Sequence, residues 1–101
     1  MAKVLYSEKA NEVLKEVAIY IATESSSLEI ALSVVSKIRV RVKKRLETFP
    51  YSGQFTTNIN GIEYFKIIVD RYTFIYKIVE LDDDEQVVVT NVIHEKQKRT
   101  K

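Results

Sequence analysis

From Ala10 to Ile21 apolar residues recur three and four apart. Ala10, Val13, Leu14, Val17, Ala18 and Ile21 form one stripe, with Lys9, Glu12, Lys15 and Glu16 off it. That is the period of an α-helix with one buried face. Ser7 stands at the N-cap position, and Glu8 lies in the first turn, where the helix dipole favours an anion. The helix is expected to run to about Thr23. A second stripe, Ala31, Val34, Val35, Ile38, Val42, Leu46 and Phe49, predicts a second helix. Ser26 and Glu29 fit the spacing of a capping box at its start, and Pro50 ends it. The link Glu24-Ser25-Ser26-Ser27 is short, so the two helices form an antiparallel hairpin.

Outside this region the period falls to two. Val4 to Tyr6 reads as a brief N-terminal strand, and Tyr51 to Gln54 as a loop. Phe55 to Ile59 and Ile62 to Val69 flank Asn60-Gly61, a pair that tolerates the positive φ angles of a type I′ hairpin turn. In the second of these strands Phe65, Ile67 and Val69 share one face, and Tyr64, Lys66 and Ile68 the other. Asp70-Arg71 is a tight connection to Tyr72–Val79, where Tyr72, Phe74, Tyr76 and Ile78 alternate with Thr73, Ile75, Lys77 and Val79. Leu81 to Glu85 reads as an acidic turn, and Gln86 to Ile93 as a valine-rich strand inside the sheet. The expected fold is α+β, in the order β-α-α-β-β-β-β. An N-terminal helical hairpin packs on one face of a twisted antiparallel sheet. The other face carries Lys and Tyr and is partly wet. Residues 1–101 are read as one domain, with 96–101 as a basic tail.

Composition narrows the classes. A chain of 101 residues that is 46% apolar fills a core without staples, and the absence of cysteine excludes disulfides and thiolate zinc sites. The longest apolar runs fall far short of the roughly 20 residues that span a bilayer. The first residues lack the apolar core of a signal peptide, so a soluble cytoplasmic protein with no membrane partner is expected. Net charge is only +2, but it is segregated. Lys37, Arg39, Arg41, Lys43, Lys44 and Arg45 form one basic block without an acid among them. Glu80, Asp82, Asp83, Asp84 and Glu85 form an acidic one, and Lys96, Lys98, Arg99 and Lys101 a second basic one. Such segregation presents a basic surface to an anionic partner, or the blocks are solvated faces and turns.

No nucleotide-binding loop, zinc-protease helix, nucleophile elbow or paired-cysteine motif occurs. One histidine cannot build a histidine-rich metal site, and the acidic turn lacks the EF-hand pattern, so no metal and no cofactor are expected. Three features remain. The basic second helix could meet phosphates or an acidic protein, or be a soluble flank. Lys66, with Tyr64 and Lys77, puts a cation in an apolar strand, where it points to water or to a partner. Metal-free RNA cleavage needs a base, a cation and an acid, roles open to Lys, Arg, His and Tyr. Last, His94 stands just before Lys96, Lys98 and Arg99, a group that titrates near neutral pH beside several cations.

Two helices, then Phe49-Pro50-Tyr51-Ser52-Gly53, Tyr64-Phe65-Lys66-Ile67, Tyr72-Thr73-Phe74-Ile75-Tyr76 and Val92-Ile93-His94, resemble the RelE/ParE superfamily in order and spacing. These are toxins of bacterial type II toxin–antitoxin modules, often labelled plasmid stabilization proteins. The resemblance covers essentially the whole chain. The Pro-x-x-Gly loop, the Tyr-x-x-x-Tyr strand and the hydrophobic-His end of the last strand are closest to the ParE branch. RelE-like members cleave mRNA on the ribosome, and ParE-like members poison DNA gyrase. Lys66 matches a strand lysine of the RelE type. Ile68 stands where that branch has a second lysine, Thr73 where it has an arginine, and no tyrosine follows the last strand. Another nuclease branch ends in His-Tyr, where this chain has His94-Glu95. The resemblance therefore implies a gyrase-binding toxin more than an enzyme. It also implies a cognate antitoxin laid across the helical hairpin and sheet, and operator DNA bound only through that antitoxin. The expected target-contacting residues are Lys66, Arg71, His94, Lys96, Lys98 and Arg99. The rivals are a ribosome-dependent mRNA endonuclease, using Lys66 with His94 or Arg71, and a degenerate member that only binds antitoxin.

Overall fold

The computed structural model describes residues 2–94. The chain runs β1 (Lys3–Tyr6), α1 (Glu8–Ser25), α2 (Leu28–Thr48), β2 (Gln54–Ile59), β3 (Ile62–Val69), β4 (Tyr72–Leu81) and β5 (Asp84–His94). The strands form one sheet in the order β1-β5-β4-β3-β2. From β2 to β5 it is an antiparallel meander, and β1 joins β5 in parallel, so the sheet is mixed. No turn links β1 to β5, and nothing local sets their relative direction. The helical hairpin covers one face, as the apolar stripes require. Leu14 and Val17 of α1 and Val35, Ile38, Val42 and Leu46 of α2 pack on Ile67, Tyr72, Phe74, Tyr76, Val87, Val89 and Val92. No helix among the described residues is long and apolar enough to cross a membrane.

All three strand connections are two-residue turns with positive φ at both positions: Asn60-Gly61, Asp70-Arg71 and Asp82-Asp83. This is the type I′ pattern, whose twist matches that of the flanking strands. The acidic turn is thereby shorter than expected, because Asp84 and Glu85 already belong to β5. A bulge at Thr90 shifts the β4–β5 register between Ile75 and Tyr76.

The helix link also differs from the capping-box expectation. Helix α1 continues through Ser25, where the Thr23 and Ser25 hydroxyls bond back to the carbonyls of Ile19 and Ile21. Ser26 then closes α1 in the left-handed conformation (φ 58°), and Ser27 caps α2 by accepting the Ile30 N–H at 3.1 Å. Three consecutive serines offer three capping groups, and the one that caps α2 is set by where α1 stops. Phe49, expected in the α2 stripe, is instead the C-cap residue and is 64% exposed.

Candidate functional site

The helix-free face of the sheet is built by alternation. Tyr64, Lys66 and Ile68 of β3 stand beside Thr73, Ile75 and Lys77 of β4, with Lys66 facing Ile75 and Gln54 and with Tyr64 facing Lys77. Lys66, Lys77 and Tyr64 are half-buried, and among the described residues neither lysine makes an ion pair. Ile68 lies directly opposite Thr73 and is 62% exposed, whereas Thr73 is buried. These are the two positions where a RelE-type nuclease would carry further cations. Here they form an apolar and hydroxyl pair next to Lys66.

His94 ends β5 on the other face. It is opposite Tyr72 and stacks on it at 4.7 Å and 22°, with the Tyr20 ring of α1 at 5.6 Å. Arg71 is exposed in the β3–β4 turn, at the same end of the sheet as His94. Lys66 is five positions from Arg71 and on the opposite face from His94. The fold therefore groups Arg71 with His94 and sets Lys66 apart. Lys96, Lys98 and Arg99 lie outside the described residues.

Much of the basic second helix is engaged within the protein. Arg39 donates to the Asn11 side chain at 3.1 Å and lies over the Tyr6 ring at 4.8 Å. Arg41 donates to both carboxylate oxygens of Asp70, at 2.7 and 2.6 Å, tying α2 to the β3–β4 turn. Arg45 donates to the Ser52 hydroxyl at 3.1 Å, and Lys43 pairs with Glu47 at 3.7 Å. Among the described residues only Lys37 and Lys44 of that block make neither a side-chain hydrogen bond nor an ion pair.

The Pro-x-x-Gly loop has a structural cause. The Tyr76 hydroxyl donates to the Pro50 carbonyl at 2.9 Å and accepts the Gly53 N–H at 3.0 Å. A Cβ on Gly53 would collide with that hydroxyl oxygen and lie 2.8 Å from the Lys66 carbonyl. The loop thus seats on the back of β3 at Lys66. Burial pushes the Tyr76 hydroxyl above its ordinary pKa, against the opposing pull of the Gly53 N–H and of Arg45.

Two features did not emerge from the sequence. One is a crevice of about 240 Å³ between β1 and α2, lined by Val4, Tyr6, Ser36, Arg39, Val40 and Lys43. Burial raises the Tyr6 pKa, with Arg39 opposing, and its hydroxyl has no partner among the described residues. The other is an aromatic groove beside the acidic turn. Alternation around a two-residue turn was the signal for it, since it places Glu80 opposite Glu85 on the helix-covered face.

A family model described as the ParE toxin of type II toxin-antitoxin system, parDE, matches residues 4–99. No curated protein matches. Among solved structures, a chain of the chromosomal ParDE TA system from P. aeruginosa superposes with a TM-score of 0.64 at 15% identity, covering 93% of this chain and 96% of that one. At that identity the likeness is one of fold.

Proposed function

The chain belongs to the ParE toxin family of type II toxin–antitoxin systems, and from that premise we propose that it arrests growth by binding DNA gyrase and is neutralised by a cognate antitoxin. The observation that carries the choice of binding over RNA cleavage is the Ile68–Thr73 pair. Beside Lys66, the helix-free face has no second cation at either of those positions to stabilise a cleaving phosphate. Arg71 and His94, at the end of the sheet from which residues 96–101 continue, are the proposed target contacts together with Lys96, Lys98 and Arg99. Lys66 contributes from the other face.

The antitoxin is proposed to cover the exposed apolar residues of the helical hairpin and the β1–α2 crevice. Ile19, Leu28, Ile30, Leu32 and Val40 lie exposed on those helices, an unusual density of large apolar side chains in contact with water. Arg39 and Lys43 at the crevice suit an acidic partner segment.

Inducible expression of the chain alone in a bacterial host tests this reading. Growth stops, and co-expression of the small gene beside its own restores it. Undiminished growth at full expression contradicts the reading and favours a member that retains only antitoxin binding. Lys66→Ala weakens the arrest without abolishing it, whereas complete loss of toxicity would favour the nuclease.

A further inference from the structure

Beyond the C-terminal end of α2, Tyr51, Asn58, Ile62, Glu63, Phe65 and Ile78 line a groove of about 510 Å³. Its walls are aromatic and apolar. Tyr51 meets Phe65 edge-on at 6.4 Å, and Phe65 in turn stacks on Tyr76 at 5.7 Å. Its rim is acidic. The Tyr51 hydroxyl donates to Glu85 at 2.9 Å, Glu85 lies directly opposite Glu80, and Glu63 shares their face of the sheet. Two like charges directly opposite on adjacent strands destabilise a sheet unless a cation joins them. Among the described residues no base pairs with Glu63, Glu80 or Glu85. Lys77 touches the lining, but alternation sends its side chain to the other face, and Arg45 is held by Ser52. No group of acids here is arranged to hold a metal ion among the described residues. The groove therefore suits an extended segment that carries spaced cations on apolar stems, which lie along aromatic walls while their heads meet carboxylates.

Residues 96–101 have that chemistry, with Lys96, Lys98, Arg99 and Lys101 in six positions. Within one molecule the backbone of this segment falls short of Glu85. Glu85 and His94 are nine strand residues apart, roughly 30 Å. The backbone of Arg99, five residues past His94, extends at most about 18 Å, and that of Lys101, seven residues past it, about 25 Å. The molecule measures 45 Å along its longest axis. We propose that the groove is a docking site for residues 96–101 of a second copy of this chain, giving a head-to-tail association held by charge. Docking would cover the segment proposed above to meet the target, but the inference stands without that reading.

Sedimentation of the full chain tests it at ionic strengths of about 0.01 M and about 1 M, where the Debye length falls from about 30 Å to about 3 Å. The wild type associates at low ionic strength and sediments as a monomer at high. Glu63→Gln/Glu80→Gln/Glu85→Gln and Lys96→Gln/Lys98→Gln/Arg99→Gln are each monomeric at low ionic strength. An equimolar mixture of the two triple variants associates again, because one supplies an intact basic segment and the other an intact groove. A wild type that stays monomeric at low ionic strength overturns the proposal and leaves the groove to a basic segment of another protein. Association that persists in either variant alone, that ignores salt, or that is absent from the mixture also overturns it.

Discussion

Gly53 and Tyr76 explain each other. Tyr76 is central to the aromatic core, and its hydroxyl serves both a donor and an acceptor of the loop after α2. Tyr76→Phe leaves the Gly53 N–H and the Pro50 carbonyl without that partner and is expected to cost about 1–3 kcal/mol in urea unfolding. Gly53→Ala is expected to cost as much, because its Cβ runs into the same hydroxyl. The spacing of Pro50 and Gly53 was legible in the sequence, but its cause was not, since Tyr76 lies 23 positions from Gly53. Arg71 separates function from stability in the opposite way. It holds φ 76°, a left-handed conformation that costs most residues about 1–2 kcal/mol and glycine almost nothing. Arg71→Gly should therefore unfold no more easily than the wild type while arresting growth less. Full toxicity in that variant would remove Arg71 from the target contact.

Elements whose signals are local were read correctly. Both apolar stripes became helices, and the Asn60-Gly61 pair became a hairpin turn. The direction of β1 was not legible, because it depends on β5, distant in sequence, and the boundary inside the serine run was not, because adjacent serines offer equivalent caps and the choice is set by where α1 stops. Ser7 shows how the layers are joined. Its hydroxyl oxygen accepts the Ala10 N–H at 3.1 Å as the cap of α1 and donates to the Thr90 carbonyl at 3.1 Å, at the β5 bulge. Ser7→Ala loses both bonds and is expected to lower stability by about 1–2 kcal/mol in thermal unfolding, more than a cap on an isolated helix. The basic second helix looked like a binding surface in the sequence because charge runs carry no record of their partners. Asn11, Asp70 and Ser52, which engage Arg39, Arg41 and Arg45, come from three other segments. Of the described bases in that block, Lys37 and Lys44 make no side-chain hydrogen bond or ion pair within the protein.

Across the whole molecule, the resemblance to the RelE/ParE superfamily was legible because it rests on the order and spacing of motifs along the chain, and the ParE branch was legible from the Pro-x-x-Gly loop, the Tyr-x-x-x-Tyr strand and the hydrophobic-His end of the last strand. The site was less legible, because strand alternation and register divide Lys66 from Arg71 and His94. Three tyrosines make the whole fold alkali-sensitive. The hydroxyls of Tyr6 and Tyr76 are raised chiefly by burial, and that of Tyr51 first by its hydrogen bond to Glu85, then by burial and by the charges of Glu85 and Glu80. Each prefers to stay protonated in the folded state. Their contribution to stability is therefore complete below the unfolded tyrosine pKa, near 10, and is lost as pH rises through the higher folded values. The thermal midpoint should fall from about pH 10 upward, and Tyr6→Phe should make that fall shallower. The proposed action is gyrase binding without RNA cleavage. Purified chain added to gyrase with relaxed plasmid, and in parallel to a translating extract with labelled mRNA, measures both activities at once. Supercoiling is expected to be lost while the mRNA stays intact. Cleaved mRNA beside undiminished supercoiling would contradict it.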